Sequence, residues 1–206
     1  MIRVPAVFFL CLLVAQPALG GVGNPEISLE MAYQGPEAVC LLVVPDGSGR
    51  PFTEARTASG QIVDATLTAE ILDINLDPIA SYPAEDVWLT TDDEGLVRCP
   101  AGMIADGPTD AFGRTTFSAP PRAGGWDLSV TRAVVSGWTS LGTGVALNYN
   151  SPDLNGDLEV NLSDVQLFAA DFFDAAYHHR ADLYFDGTIN LADIVPLARA
   201  FGAACP

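Results

Sequence analysis

Two twelve-residue windows near the C-terminus constrain this chain more than any other feature. Residues 153–164 read Asp-Leu-Asn-Gly-Asp-Leu-Glu-Val-Asn-Leu-Ser-Asp, and residues 182–193 read Asp-Leu-Tyr-Phe-Asp-Gly-Thr-Ile-Asn-Leu-Ala-Asp. At an offset of 29 they share Asp at positions 1, 5 and 12, Leu at 2 and 10, and Asn at 9. The same offset superposes Ala169 on Ala198 and Phe172 on Phe201. Six identities in twelve make an internal repeat, and its spacing suits a hard cation. Such an ion takes six or seven oxygens, and a tight loop turns the side chains of positions 1, 3, 5, 9 and 12 and the carbonyl of 7 towards one centre.

The first loop offers the complete set: Asp153, Asn155, Asp157, the Glu159 carbonyl, Asn161 and Asp164. The second offers Asp182, Asp186, the Thr188 carbonyl, Asn190 and Asp193, but Tyr184 at position 3 brings no carboxylate or amide oxygen. Position 6 calls for a positive φ, which Gly187 supplies freely and Leu158 adopts only at a cost of ~1 to 2 kcal/mol. A lost charged oxygen outweighs one strained residue, so the first loop is expected to bind more tightly and the second to be degenerate. An apolar helix is expected after each loop, over Val165 to Phe173 and Ile194 to Phe201. Asp164 and Asp193 are expected to cap them, and Pro196 to fall in a first turn, where no intrahelical donor is lost. The adjacent His178 and His179 cannot easily face one ion and read as linker.

From about Glu26 to Tyr149 the apolar residues recur with period two, the pattern of strands with one face in and one out. Ile27, Leu29 and Met31 alternate with polar residues, as do Val63, Ala65, Leu67, Ala69 and Ile71; Trp126, Leu128 and Val130; and Val145, Leu147 and Tyr149. Turn formers separate these runs, among them the stretches 45–49, 92–95, 106–108 and 123–125. Roughly seven strands of this kind predict an antiparallel β-sandwich over residues 21–150, followed by a small α-helical unit over 151–206. Trp126 is in phase with the inward residues and is expected in the core, while Trp88 and Trp138 are candidates for an exposed stacking surface.

The formal charge of −17, with no lysine, excludes proteins that track a phosphate backbone or an anionic membrane. Residues 1–20 read as a signal peptide: a basic start at Arg3, an apolar run from Val4 to Val14, and small residues before Gly21. That run is short of the ~20 residues of a membrane span, so a secreted protein with no membrane span is expected. In an oxidising compartment Cys40 and Cys99, both in the β region, are the expected disulfide. Cys205 is then expected to be unpaired; the alternatives are that it pairs between chains or takes Cys99 and ties the tail back.

Two resemblances follow. Residues 61–135, with a long strand ending in Leu72 to Pro78, a second strand near Val87 to Leu89 and the segment Thr109 to Phe117, resemble the bacterial immunoglobulin-like repeats of adhesins and invasins. The pattern D-x-N-x-D-x-x-x-N-x-x-D, duplicated and with Asp at position 12, resembles the type I dockerin module over residues 153–202. That resemblance implies two Ca2+ sites, the second degenerate, and a cohesin-like or other surface protein as partner. It places recognition at loop positions 10 and 11, here Leu162, Ser163, Leu191 and Ala192, and along the helices at Ala169, Ala170, Ala198 and Arg199. The β region contains no histidine and no nucleophile motif. A non-catalytic docking protein is therefore the leading expectation, ahead of a carbohydrate-binding module that contacts polysaccharide through Trp88 or Trp138, and of a small polysaccharide-acting enzyme.

Overall fold

The computed structural model describes residues 25–140 and 144–206. The expected signal peptide lies outside the described residues. The chain is mainly β. Its strands are β1 (Glu26–Met31), β2 (Val39–Leu42), β3 (Ala55–Thr57), β4 (Ile62–Val63), β5 (Leu67–Leu72), β6 (Val87–Thr91), β7 (Leu96–Arg98), β8 (Arg114–Phe117), β9 (Ala123–Gly125), β10 (Val130–Val135), β11 (Trp138–Thr139), β12 (Val145–Ala146) and β13 (Asn148–Asn150), followed by helices α1 (Leu162–Phe173) and α2 (Leu191–Ala200). Several sheets form. One runs β1-β5-β8, a second β11-β10-β12 with β6 on β10, a third β13-β2-β3-β4, and β7 pairs with β9. All these pairings are antiparallel except β13 on β2. No helix among the described residues is long and apolar enough to cross a membrane.

The alternation seen in the sequence becomes burial. Ala65, Leu67, Ala69 and Ile71 are fully buried on one face of β5 and its approach, while Thr68 and Glu70 lie on the other, half-exposed. Val145, Leu147 and Tyr149 are buried as expected. With Ile27, Leu41, Val87, Leu89, Phe117 and Val135 they belong to one apolar cluster.

Two expectations fail, each for a physical reason. Trp126 and Leu128 face outward, 38% and 52% exposed, and Asp127 between them is buried at 2%. Gly125, at φ +80°, shifts the strand's phase, and the Asp127 carboxylate is compensated by donors. It accepts from Thr91 Oγ1 at 2.7 Å, from the Gly95 N–H at 3.0 Å, and from the N–H and hydroxyl of Ser129. Burial alone would raise this carboxyl, but the hydrogen bonds from Ser129, Thr91 and Gly95 outweigh it and hold it below the usual carboxylate range. The strands run without a linker into the C-terminal region. Asn148–Asn150 is β13, and Tyr149, Asn150 and Ser151 are all at most 1% exposed.

The second correction is the disulfide. Cys99 bonds Cys205, with Cα atoms 5.7 Å apart, and Cys40 is a free, buried thiol on β2. The C-terminal tail folds back along the first loop, which delivers Cys205 to the β region. Val160 N–H donates to Ala203 O and Gly202 N–H to Val160 O, both at 2.8 Å, and Glu159 bridges Ala204. Burial pushes the Cys40 thiol far up, so it stays protonated and inert.

A second apolar cluster holds the C-terminal region together. Leu154, Val160, Phe168, Leu183, Leu197 and Ala200 pack with Val44 and Leu42, which belong to the end of β2 and the turn after it. The helical region thus shares its core with the β region.

Candidate metal centre

The loops repeat in hydrogen bonding as well as in sequence. Asp153 at position 1 accepts from the N–H groups of Gly156, Asp157 and Leu158 at 2.9, 3.2 and 2.8 Å. Asp182 accepts from Asp186 and Gly187 at 3.1 and 2.8 Å. Position 5 accepts from the N–H of position 7 in both loops, Glu159 to Asp157 and Thr188 to Asp186, each at 3.0 Å. Position 12 closes the ring: Asp164 Oδ1 takes the Asn155 N–H at 3.2 Å, and Asp193 Oδ1 takes the Tyr184 N–H at 2.7 Å.

Each helix starts earlier than the sequence suggested. The N-caps are Asn161 and Asn190, whose side chains accept from the N–H groups of Ser163 and Ala192 at 2.8 Å. Asp164 and Asp193 sit three residues on and reach back to the cap N–H groups at 2.9 and 2.8 Å, completing a capping box. Alternation of apolar residues marks where a helix packs, whereas the cap is fixed by the loop's own bonds. Pro196 consequently lies inside α2 and not in its first turn, so the helix lacks one N–H there.

Both loops use two residues at positive φ, and each meets the need once with glycine and once against the residue's preference. Gly156 and Leu158 stand at +72° and +70°, Phe185 and Gly187 at +57° and +80°. The strain expected at Leu158 is present, and Phe185 carries its counterpart in the second loop.

Asp153, Asp164, Asp182 and Asp193 are all 0% exposed. None makes an ion pair among the described residues, in contrast to buried Asp171, whose carboxylate holds the Arg180 guanidinium at 2.6 and 2.9 Å. Burial, together with the charges of Asp164 and Asp157, raises the Asp153 carboxyl to about 6 against the loop's hydrogen bonds. Burial and the charges of Asp182 and Asp186 raise Asp193 likewise. Buried carboxylates without a counter-charge are costly. The donor set of the first loop fits a hard divalent cation: three carboxylates, two amide oxygens and one carbonyl. Among the described residues no three His, Cys, Asp or Glu side chains converge as a ready-made cage, since positions 1 and 12 are turned to their own backbone N–H groups.

Position 3 of the second loop has another task. The Tyr184 ring receives the Arg56 guanidinium from β3, with the Arg56 Cζ 3.9 Å from its centroid. Tyr177, which the sequence reading missed, donates its hydroxyl to Asp182 Oδ2 at 2.8 Å and so supplies a neutral partner for that carboxylate. The two histidines diverge. His178 Nε2 lies 2.8 Å from Asp174 Oδ2, while the His179 ring packs between Trp126 and Phe185 with centroids 6.1 and 5.8 Å away.

The β region forms one wall of the first loop. An added Cβ on Gly124 would stand 1.8 Å from Asp153 Oδ2, and the Gly125 N–H donates to Asp153 O at 2.8 Å. Asn150 donates to His179 O and Asp182 O at 2.9 and 2.7 Å. Despite this fastening, Leu162 and Leu191 at position 10 remain 66% and 71% exposed, and Ser163 is exposed. Ala192 is half-buried beside a cleft. Comparison with protein-family models, with curated proteins and with solved structures finds no match.

Proposed function

We propose that the chain is an exported, non-catalytic protein in which a dockerin-like module, held by Ca2+, presents a duplicated apolar face to a protein partner. The module is joined to an immunoglobulin-like β-sandwich formed by the strands. The observation that carries this reading is the matched exposure of equivalent apolar positions. Leu162 and Leu191 are 66% and 71% exposed, Val165 and Ile194 36% and 38%. Beyond these the match ends: Ala170 and Phe173 are exposed on α1, Ala198 on α2 and Phe201 just past it, while Ala169 and Phe172, the repeat equivalents of Ala198 and Phe201, are half-buried. Helices normally turn such stripes inward, and exposed apolar surface of this kind suits a partner.

Four buried, unpaired carboxylates support Ca2+ as the ion that fixes this face. A calcium-dependent pull-down from a secreted protein pool tests the reading, with Leu162→Asp and Leu191→Asp as controls. Loss of the captured partner on chelation and in the double variant is the expected result; capture unaffected by both refutes docking through these helices.

A second reading is favoured by Trp138, which is 52% exposed and lines an open cleft with Ile74 and Leu76. An aromatic face of this kind stacks on sugar rings, so the β region would bind polysaccharide. Retardation on polysaccharide gels that is lost in Trp138→Ala distinguishes this from docking alone.

A further inference from the structure

Of the eight arginines among the described residues, three form ion pairs and two more have partners away from the cleft that the remaining three line. Arg114 pairs with Glu70, Arg132 with Asp92 and Arg180 with Asp171. Arg98 lies over Trp88 at 5.9 Å, and Arg122 donates to the Ala101 carbonyl at 3.4 Å. The other three, Arg50, Arg56 and Arg199, make no ion pair among the described residues and line a single cleft of about 700 Å3. Arg50 and Arg56 come from the β region and Arg199 from α2, so folding gathers them from distant parts of the chain. In a chain with 26 acidic residues and a formal charge of −17, the lining of this cleft gathers three cations and no carboxylate, and the acidic group that bears on Arg50 is Glu54, outside the lining.

The Nε of Arg56 is buried with no hydrogen-bond partner, and its guanidinium plane is held against Tyr184. Burial, and next the like charge of Arg56, disfavour the charged form of Arg50. The remainder of the lining is apolar: Leu42, Val44, Val195 and Pro196 with the small Ala192 and Ala200. A cleft of this size is in the range of small-molecule sites, which combine an apolar wall with a few convergent polar groups.

We propose that this cleft binds an aliphatic carboxylate, its head group among Arg50, Arg56 and Arg199 and its apolar body along Val44, Val195 and Pro196. Guanidinium groups match carboxylate geometry in a way that a point charge does not. The apolar wall selects against a bare inorganic anion, and the three cations select against a neutral chain of the same length. The site stands on the groove between α2 and the β region; it shares Ala192 and Arg199 with the positions the dockerin resemblance implies for recognition, and it does not include the outward Leu162 and Leu191.

Calorimetric titration of the full, oxidised chain tests this, with octanoate, octanol and sodium sulfate as separate arms. Octanoate is expected to bind saturably at one site, with octanol and sulfate at least tenfold weaker. Arg50→Met and Arg199→Met are each expected to weaken octanoate about tenfold, the loss of one charged hydrogen bond, and to leave octanol unchanged. Arg199 is exposed on α2, so its variant folds even if the half-buried Arg50 is needed for packing, and the Arg199 arm then decides. No saturable heat with octanoate, equal binding of octanol or sulfate, or an Arg199→Met variant that binds octanoate like the parent overturns the proposal.

Discussion

Replacing Cys205 by Ser cuts the link between the tail and the β region, and the structure sets the size of the effect. The bond spans 106 residues, so its removal returns about 16 cal/mol/K of chain entropy to the unfolded state, or roughly 4.8 kcal/mol at 25 °C. For a chain of this size that corresponds to a fall in Tm of roughly 10–20 °C. The folded state loses order as well. Cys205 N–H donates to Leu158 O, and the tail holds Val160 by two backbone hydrogen bonds, so the strained Leu158 is left less supported.

Loop length alone does not identify the pairing, because a Cys40 to Cys99 bridge would span 59 residues and contribute about 4.3 kcal/mol by the same relation. The contrast between single variants does. Cys40→Ser removes no crosslink and leaves a buried hydroxyl, at about 1–3 kcal/mol, while Cys205→Ser is several kcal/mol worse. Urea unfolding of both variants, with peptide mapping of the parent under non-reducing conditions, reads the ranking. A Cys40→Ser variant that loses more than Cys205→Ser, or a mapped peptide joining Cys40 to Cys99, refutes the assignment.

Calcium removal is expected to lower the Tm of the oxidised chain by roughly 5–10 °C from an excess of about 100 Kd, with loss of helical signal; chelation that changes neither removes the basis for a metal at these loops. Asp164→Ala should abolish the tighter of two calcium binding events in calorimetry and Asp193→Ala the weaker, and a reversed order contradicts the ranking drawn from Tyr184. Gly124→Ala places a methyl against Asp153 Oδ2, and is expected to cost about 1–3 kcal/mol while weakening the first calcium event. Asp127, with its folded-state carboxyl held low, contributes stability that is present above its unfolded pKa and is lost as pH falls through its folded pKa. Asp127→Asn should therefore be destabilising at pH 7 by about 1–3 kcal/mol, with the gap to the parent closing as pH falls below the ordinary aspartate range; a gap that stays constant with pH shows that charge has no part in it.

What could be read from the sequence follows the range of the interactions involved. The repetition of the two loops was legible because its positions all lie within twelve residues, and the strand at Leu67 to Ile71 was legible because alternation is a local consequence of the pleat. Trp126 was not, since its phase depends on Gly125 and on Asp127 finding donors in Thr91 and Gly95, which arrive from another part of the chain. The disulfide depended on where the tail folds, and three cysteines alone leave that open. Tyr184 read as a defect in a ligand set, because its partner Arg56 is contributed by a strand far away in sequence. The start of each helix was misplaced because Asn161 and Asn190 looked like ligands alone, yet they are also the caps.

These long-range contacts change what the C-terminal unit can be. A docking module on a flexible linker orients its binding face freely, whereas here the chain leaves β13, buried in the core, and enters the first loop within three residues. The entry is fixed by Asn150 on one side and by the Cys99 to Cys205 bond on the other. The second loop is held through Arg56 and Tyr184, the first through Gly124 and Gly125. The outward stripes of α1 and α2 therefore have one fixed direction relative to the sheets. A partner on that face would position the β region rigidly, and an ion bound at Asp153 would be felt at β9 through the glycine that abuts it. The small apolar cluster of the helices, which borrows Val44 and Leu42 from the β region, gives the reason: too little apolar surface exists in this unit for it to stand alone.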